Sequence, residues 1–199
     1  MRAERRRERE QAIHAAAYAL VAERGYGSTS MLAVAKEANA SNETLYRWYG
    51  DKSGLFRSMV DANAAATRDA LASAVAGNSA PVQALRAVAP VLLAMVLGEK
   101  AIALNRAAAA DPTGELGEAI AQGGRDTVLP MVVDLVDRAI AEGVLKAGPA
   151  GEAAEWFLAL LIGDQQIRRV IGRMPEPTVA DVSRRAQAAC DAFVRLCAP

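Results

Sequence analysis

The stretch Thr29–Tyr49, TSMLAVAKEANASNETLYRWY, constrains this chain more than any other. It reads as two short helices joined by a tight turn at Asn39-Ala40-Ser41. Thr29 or Ser30 can cap the first helix. Ser41 can cap the second, with Thr44 three residues on. Leu32, Ala35 and Ala38 are expected to face inward with Leu45 and Tyr49. The second helix is polar at its start (Asn42, Glu43, Thr44) and aromatic-basic at its end (Tyr46, Arg47, Trp48). A short helix with a polar first turn, braced by a preceding helix, is the helix-turn-helix layout, in which the second helix enters the major groove.

The rest of the chain is compatible with that motif. Its 199 residues can bury a real core in one or two domains. Apolar residues make up 52% and aromatics 5%, with abundant alanine, which favours helix. The formal net charge is zero, but its distribution is uneven. Residues 1–57 carry 10 Lys/Arg against 7 Asp/Glu, and residues 58–199 carry 13 against 16. The basic excess lies on the segment with the motif, where phosphate contacts need it. The start, Met1–Arg7, is basic and has no apolar core of a secretion signal. No apolar run approaches the roughly 20 residues of a membrane span. The expected compartment is the cytoplasm, with no membrane partner.

About nine helices and no strand follow from the periodicity, an all-α fold. Ile13, Ala17, Leu20 and Val21 place a helix over 2–24, ended by Gly25. A helix is expected from Lys52 to about Ala76, before a break at 77–81. Helices follow over 82–97 (kinked at Pro90), 101–110, 115–121, 126–142, 149–171 and 178–196, the last capped by Thr178 or Asp181. The division is a DNA-binding domain over 1–57 and an effector-binding and dimerisation domain over 58–199.

Residues 10–57 carry the pattern Ala12-Ile13, Ala22-Glu23-Arg24-Gly25-Tyr26, Thr29-Ser30, Val34-Ala35, then Ser41-x-x-Thr44-Leu45-Tyr46-x-x-Tyr49-x-x-Lys52-x-x-Leu55. This pattern resembles the TetR family of transcriptional regulators. Trp156–Arg168 is similar to the carboxyl-terminal domain of the family's AefR-like members. The resemblance implies an all-helical homodimer bound to an operator in double-stranded DNA. A three-helix DNA-binding domain would precede a divergent domain for a small-molecule effector. The last two helices, about 150–172 and 178–197, would form the dimer as a four-helix bundle. Three positions depart from the family pattern. Asn39-Ala40 stands where glycine and then valine or isoleucine is usual, and asparagine tolerates the left-handed turn. Leu32 stands where a basic or polar residue is common, so fewer contacts are expected from the first motif helix. Trp48 stands where histidine, tyrosine or phenylalanine is common; it either packs on sugar or braces the helix end.

Asn42, Glu43, Thr44 and Arg47 are the candidate base-edge readers. Arginine can take guanine, asparagine adenine, and threonine a thymine methyl. Thr29, Ser30, Ser41, Tyr46 and Lys52 suit phosphate contact, the first three also suiting capping alone. Arg2, Arg5, Arg6, Arg7 and Arg9 interleave with Glu4, Glu8 and Glu10, as a solvated helix or a phosphate-binding arm. His14, the only histidine, reads as a surface or packing residue. Cys190 and Cys197 read as buried thiols, with a redox role across a dimer as the alternative. For the effector the candidates are Asn105, Arg106, Met131, Trp156 and Gln165, polar groups or walls within apolar helices beside the small Ala107–Ala110. Ordinary helix packing is the alternative for each.

No His/Cys/Asp/Glu cluster, nucleophile motif or Gly-rich phosphate loop is present, so no enzyme, metal or cofactor is expected. The function expected is a ligand-responsive repressor released from a palindromic operator by a small apolar effector. A helical DNA-binding adaptor or an activator without an effector is the alternative.

Overall fold

The structure, a computed structural model, describes residues 2–77 and 79–199, with side chains from Glu4 onward. Arg2 as an arm side chain and Asn78 in the break after the fourth helix fall outside that description. Among the described residues there is no strand. The helices are α1 (Arg2–Arg24), α2 (Met31–Glu37), α3 (Asn42–Tyr49), α4 (Lys52–Ala76), α5 (Pro81–Leu97), α6 (Glu99–Ala109), α7 (Glu115–Ile120), α8 (Asp126–Ala141), α9 (Ala150–Ile162), α10 (Gln165–Val170) and α11 (Val179–Leu196). No single described helix is long and apolar enough to cross a membrane.

The chain forms two compact units. The first runs to Ala62 and includes Ala103–Gly123; the second comprises Asn63–Ile102 and Gly124–Pro199. The division falls inside α4 and α6, so α7 and the end of α6 belong to the amino-terminal unit. Periodicity cannot show this, because it reports a buried face but not which core the face joins.

In the amino-terminal unit, Ile13, Ala17 and Leu20 of α1 pack with Val34 and Ala35 of α2, Leu45 of α3 and Leu55, Phe56 and Met59 of α4. Leu104, Ala107, Leu116 and Ala119 complete this core. Ala107 therefore fills a core rather than leaving room for a ligand. His14 is buried, and its Nε2 lies 2.8 Å from Ser58 Oγ. Ser58 spends its own proton on the Leu55 carbonyl at 2.8 Å, so Nε2 is the donor to it. The histidine is a packing residue.

In the carboxyl-terminal unit, Leu85, Leu93, Val132, Leu135, Phe157, Leu161 and Phe193 form the core. The rings of Phe157 and Phe193 meet edge to face at 5.4 Å. Thr178 caps α11 in a capping box with Asp181. Cys190 and Cys197 are free and buried, and burial raises both thiol pKa values.

Two expected elements differ. The apolar run over 149–171 is two helices, because Gly163 adopts φ 55° after α9. Arg185 of α11 donates to the Leu161 carbonyl at 3.1 Å and so satisfies the exposed end of α9. Conversely, 115–141 has no break. Ala121–Arg125 is a single π-helical turn joining α7 to α8, where Gly123-Gly124 loosens the helix without ending it. α5 stays helical through Pro90.

Candidate nucleic-acid interface

The α2–turn–α3 motif is built by local hydrogen bonds that its sequence specifies. Ser30 is the cap of α2, accepting from the Ala33 N–H at 3.2 Å. Thr29 is buried instead, and its hydroxyl donates to the Gly25 carbonyl at 2.8 Å. Thr29 thus fastens the end of α1 to the start of the motif. The end of α2 is a Schellman motif. Ala40 N–H donates to the Ala35 carbonyl at 2.9 Å, Asn39 N–H donates to that of Lys36 at 3.3 Å, and Asn39 has φ 49°. Asparagine therefore fills the position that glycine usually takes. Arg9 of α1 donates to the Asn39 carbonyl at 2.8 Å and fixes the turn from outside.

Ser41 caps α3, accepting from the Thr44 N–H at 3.1 Å. Its Oγ also lies 2.8 Å from Thr44 Oγ1. Leu45 is fully buried and anchors the helix. Glu43, Tyr46 and Arg47 form the exposed face, spaced three and four residues apart. Asn42 and Thr44 are half-buried, and the Asn42 carboxamide oxygen is buried without a hydrogen-bond partner. Trp48 braces the helix end: it packs against the core, and the Arg6 guanidinium lies 5.3 Å from its ring. With side chains an α-helix is about 10–12 Å across, which fits a major groove about 12 Å wide.

Besides Thr29, two placements differ from expectation. Leu32 does not face inward but is 64% exposed. The buried stripe of α2 is Met31, Val34 and Ala35, continued by Ala38; Ala35 and Ala38 face inward as expected, and Met31 takes the place expected of Leu32. Lys52 points into its own unit. Its ammonium donates to the Tyr26 carbonyl at 2.8 Å and lies 3.9 Å from the Tyr26 ring centre. Burial lowers its pKa, partly opposed by the Asp111 carboxylate.

Sequence reasoning missed Gly54. A Cβ there would lie 1.9 Å from the Tyr49 carbonyl oxygen, so α4 crosses the end of α3 with backbone nearly touching backbone. A glycine inside a helical pattern was the available signal. Thr67 of α4, in the carboxyl-terminal unit, was also missed. It is buried and its hydroxyl has no partner. It is the one polar residue in the buried stripe Ala64, Thr67, Leu71.

The effector candidates are not gathered within one unit. Asn105 and Arg106 belong to the amino-terminal unit; Met131, Trp156 and Gln165 belong to the other. Trp156 is 39% exposed. Gln165 donates to the Ile162 carbonyl at 3.1 Å and so serves the end of α9. Met131 packs against the core. A groove of about 390 Å³ in the carboxyl-terminal unit is lined by α5, Glu176-Pro177 and the start of α11, and contains none of the five. Arg169 is buried, donating to the Leu97 carbonyl at 2.9 Å and pairing with Glu99 at 2.7 Å.

Residues 13–59 match the family described as "Bacterial regulatory proteins, tetR family". Residues 83–198 match "AefR-like transcriptional repressor, C-terminal domain". No curated protein matches the chain. A TetR transcriptional regulator from Agrobacterium tumefaciens is 28% identical, covering 96% of this chain and 94% of that one, with a TM-score of 0.74. The flavonoid-responsive regulator FrrA is 27% identical over 96% of this chain and 98% of its own, with a TM-score of 0.69. SmeT in complex with triclosan, 22% identical over 96% and 92% with a TM-score of 0.77, shares the fold.

Proposed function

Because the chain belongs to the TetR family of bacterial transcriptional regulators and carries an AefR-like carboxyl-terminal domain, we propose that it is a homodimeric repressor released from a palindromic operator by a small, largely apolar effector. The observation that carries the DNA half is α3. Its polar, exposed face of Glu43, Tyr46 and Arg47 stands on the fully buried Leu45, held at both ends by caps and at the turn by Arg9. Glu43 and Arg47 read base edges, with Asn42 and Thr44 at the margin of the face. Ser30, Ser41 and Tyr46 contact phosphate, while Thr29, Trp48 and Lys52 hold the motif in place.

The dimer forms through α9, α10 and α11. Trp156, Ile167, Ile171, Val179 and Leu196 leave large apolar side chains exposed there, and α11 is long enough to lie along a partner. Two copies of α3 then meet successive major grooves of a symmetric site. The effector binds through the carboxyl-terminal unit, where Thr67 and Met131 are the candidate contacts. It releases DNA only by binding the DNA-incompetent conformer more tightly than the competent one. α4 is continuous from one unit to the other and provides the covalent route. A small aromatic molecule, the class to which the flavonoid-responsive relative's name points, fits this reading.

Selection of genomic fragments by the purified protein tests the DNA half. The enriched fragments share an inverted repeat with half-sites about one helical turn, or a multiple, apart; fragments with no shared symmetric element contradict the reading. A thermal-shift screen of small aromatic compounds tests the other half. Compounds that raise Tm also release the operator; ligands that stabilise the protein and leave DNA binding intact are not effectors and argue for the adaptor alternative.

A further inference from the structure

The groove of about 390 Å³ in the carboxyl-terminal unit runs between the second half of α5 and the start of α11. The buried Leu97 and Val182 form its floor. Val91 and Val179 line it with large apolar side chains that are 37% and 85% exposed. Ala94 and Gly98 keep it open, because a larger side chain at either position would stand in it. A Cβ at Gly98 would lie 3.9 Å from Glu176 Oε1, so the bare backbone there lets the Glu176 carboxylate reach over that end of the groove. Pro175 and Pro177 flank Glu176 and restrict its backbone. Glu176 is the only charged residue that lines the groove, and it makes no ion pair among the described residues. Two nearby arginines are spent elsewhere: Arg169 pairs with Glu99, and Arg184 with Asp181.

We propose that this groove is a binding site for a small organic cation, an ammonium group carried on an aliphatic body. Its volume falls within the range of about 300–1,000 Å³ that small-molecule sites occupy. The valines and Leu97 take the aliphatic body, and the Glu176 carboxylate takes the cationic head. Apolar walls displace water beside the carboxylate, which strengthens that attraction over its value in bulk water. A neutral chain gains the burial alone, and an anion meets repulsion. No aromatic residue lines the groove, so a carboxylate and not a π face selects the charge. The site is separate from the effector contacts proposed above, since neither Thr67 nor Met131 lines it, and it stands or falls independently of the DNA reading. Val179 also belongs to the face proposed for the dimer, and a second copy seated in the groove is the competing occupant.

Hexyltrimethylammonium, hexanol and hexanoate carry one chain with a positive, a neutral and a negative head. Calorimetric titration of the full-length protein measures their affinities, and valine-methyl NMR spectra locate them. The natural chain should bind hexyltrimethylammonium about fivefold more tightly than hexanol, the upper end for an exposed ion pair, with shifts at Val91 and Val179. Hexanoate should bind more weakly than hexanol. Glu176→Gln should remove the preference for the cation and leave hexanol binding unchanged. Ala94→Leu should fill the groove and abolish binding of both. Ala94 and Glu176 are exposed, so both variants should keep the melting temperature of the natural chain. Three outcomes overturn the inference: no saturable binding of hexyltrimethylammonium, a preference unchanged in Glu176→Gln, or binding retained in Ala94→Leu. Sedimentation of the same variants decides between the occupants. An assembly unchanged by Ala94→Leu supports the ligand site; one that dissociates overturns it and gives the groove to a second copy.

Discussion

Gly54→Ala isolates the contact that fixes the recognition helix against α4. The added Cβ would lie 1.9 Å from the Tyr49 carbonyl oxygen, whereas real Cβ contacts stay beyond 3.0 Å. The two helices must therefore separate by at least 1.1 Å, the difference between those distances. The obstructing atom is backbone, so no rotamer change relieves it. Only Gly50 and Asp51 join α3 to α4, and Asp51 is already bonded to the Gly54 N–H at 2.7 Å. Overpacking of this kind costs about 3 kcal/mol at the upper end of its range. Alanine regains about 1 kcal/mol of helix propensity over glycine. The net loss is about 2 kcal/mol, which for a chain of this size lowers Tm by roughly 4–8 °C. Gly117→Ala in α7 is the matched control: it lies in the same unit, and its Cβ meets nothing within 4 Å. It should gain the propensity term alone and melt slightly higher. Thermal unfolding followed by circular dichroism gives all three values. Gly54→Ala melting at or above the natural chain would refute the reasoning, because propensity would then have outweighed the contact.

Arg47→Ala should relax specificity at one base pair in each half-site, with a loss of about 1–3 kcal/mol there; equal loss on every operator variant would remove its assigned role. Lys52→Ala should lower Tm and weaken binding to all sequences without changing the slope of log affinity against log salt, since its ammonium is spent on the Tyr26 carbonyl. A slope reduced by about one would instead make Lys52 a phosphate contact. The Asp181 carboxyl is held below its ordinary 3.8 by the Thr178 hydroxyl and N–H. Its contribution to stability is therefore present above pH 3.8 and is lost as pH falls through the lowered value. Asp181→Asn should flatten that part of the acid limb in a pH series of melting temperatures, and an unchanged limb would contradict the capping-box account.

The parts of this molecule that depend on neighbours in sequence were readable from it. Ser41, Asn39 and Gly25 each act within a few residues of where they stand, and each has the chemistry its backbone position demands. Failures arose where a distant residue decides. Gly163 ends α9 inside a stretch that periodicity reads as one helix, and the arginine that satisfies the end of α9 lies more than twenty residues on, in α11. Arg9 looked like one of several interchangeable basic residues, but only the fold brings it to Asn39. Leu32 was misjudged because a leucine at helical spacing is taken as core, whereas Met31, one residue earlier, supplies the buried side chain beside Val34 and Ala35. Three of the effector candidates, Asn105, Arg106 and Gln165, stand out in the sequence as polar residues in apolar helices. That signal marks exceptions and cannot show whether a side chain caps a neighbour, as Gln165 does, or faces a ligand.

Binding of the purified protein to its own upstream DNA, followed by fluorescence anisotropy across a salt series with a scrambled duplex as control, tests the central claim most directly. The account requires tight, steeply salt-dependent binding at two protomers or more per site, with the scrambled duplex bound far more weakly. Equal binding to both duplexes, on this DNA and on the fragments selected from the genome, would contradict it.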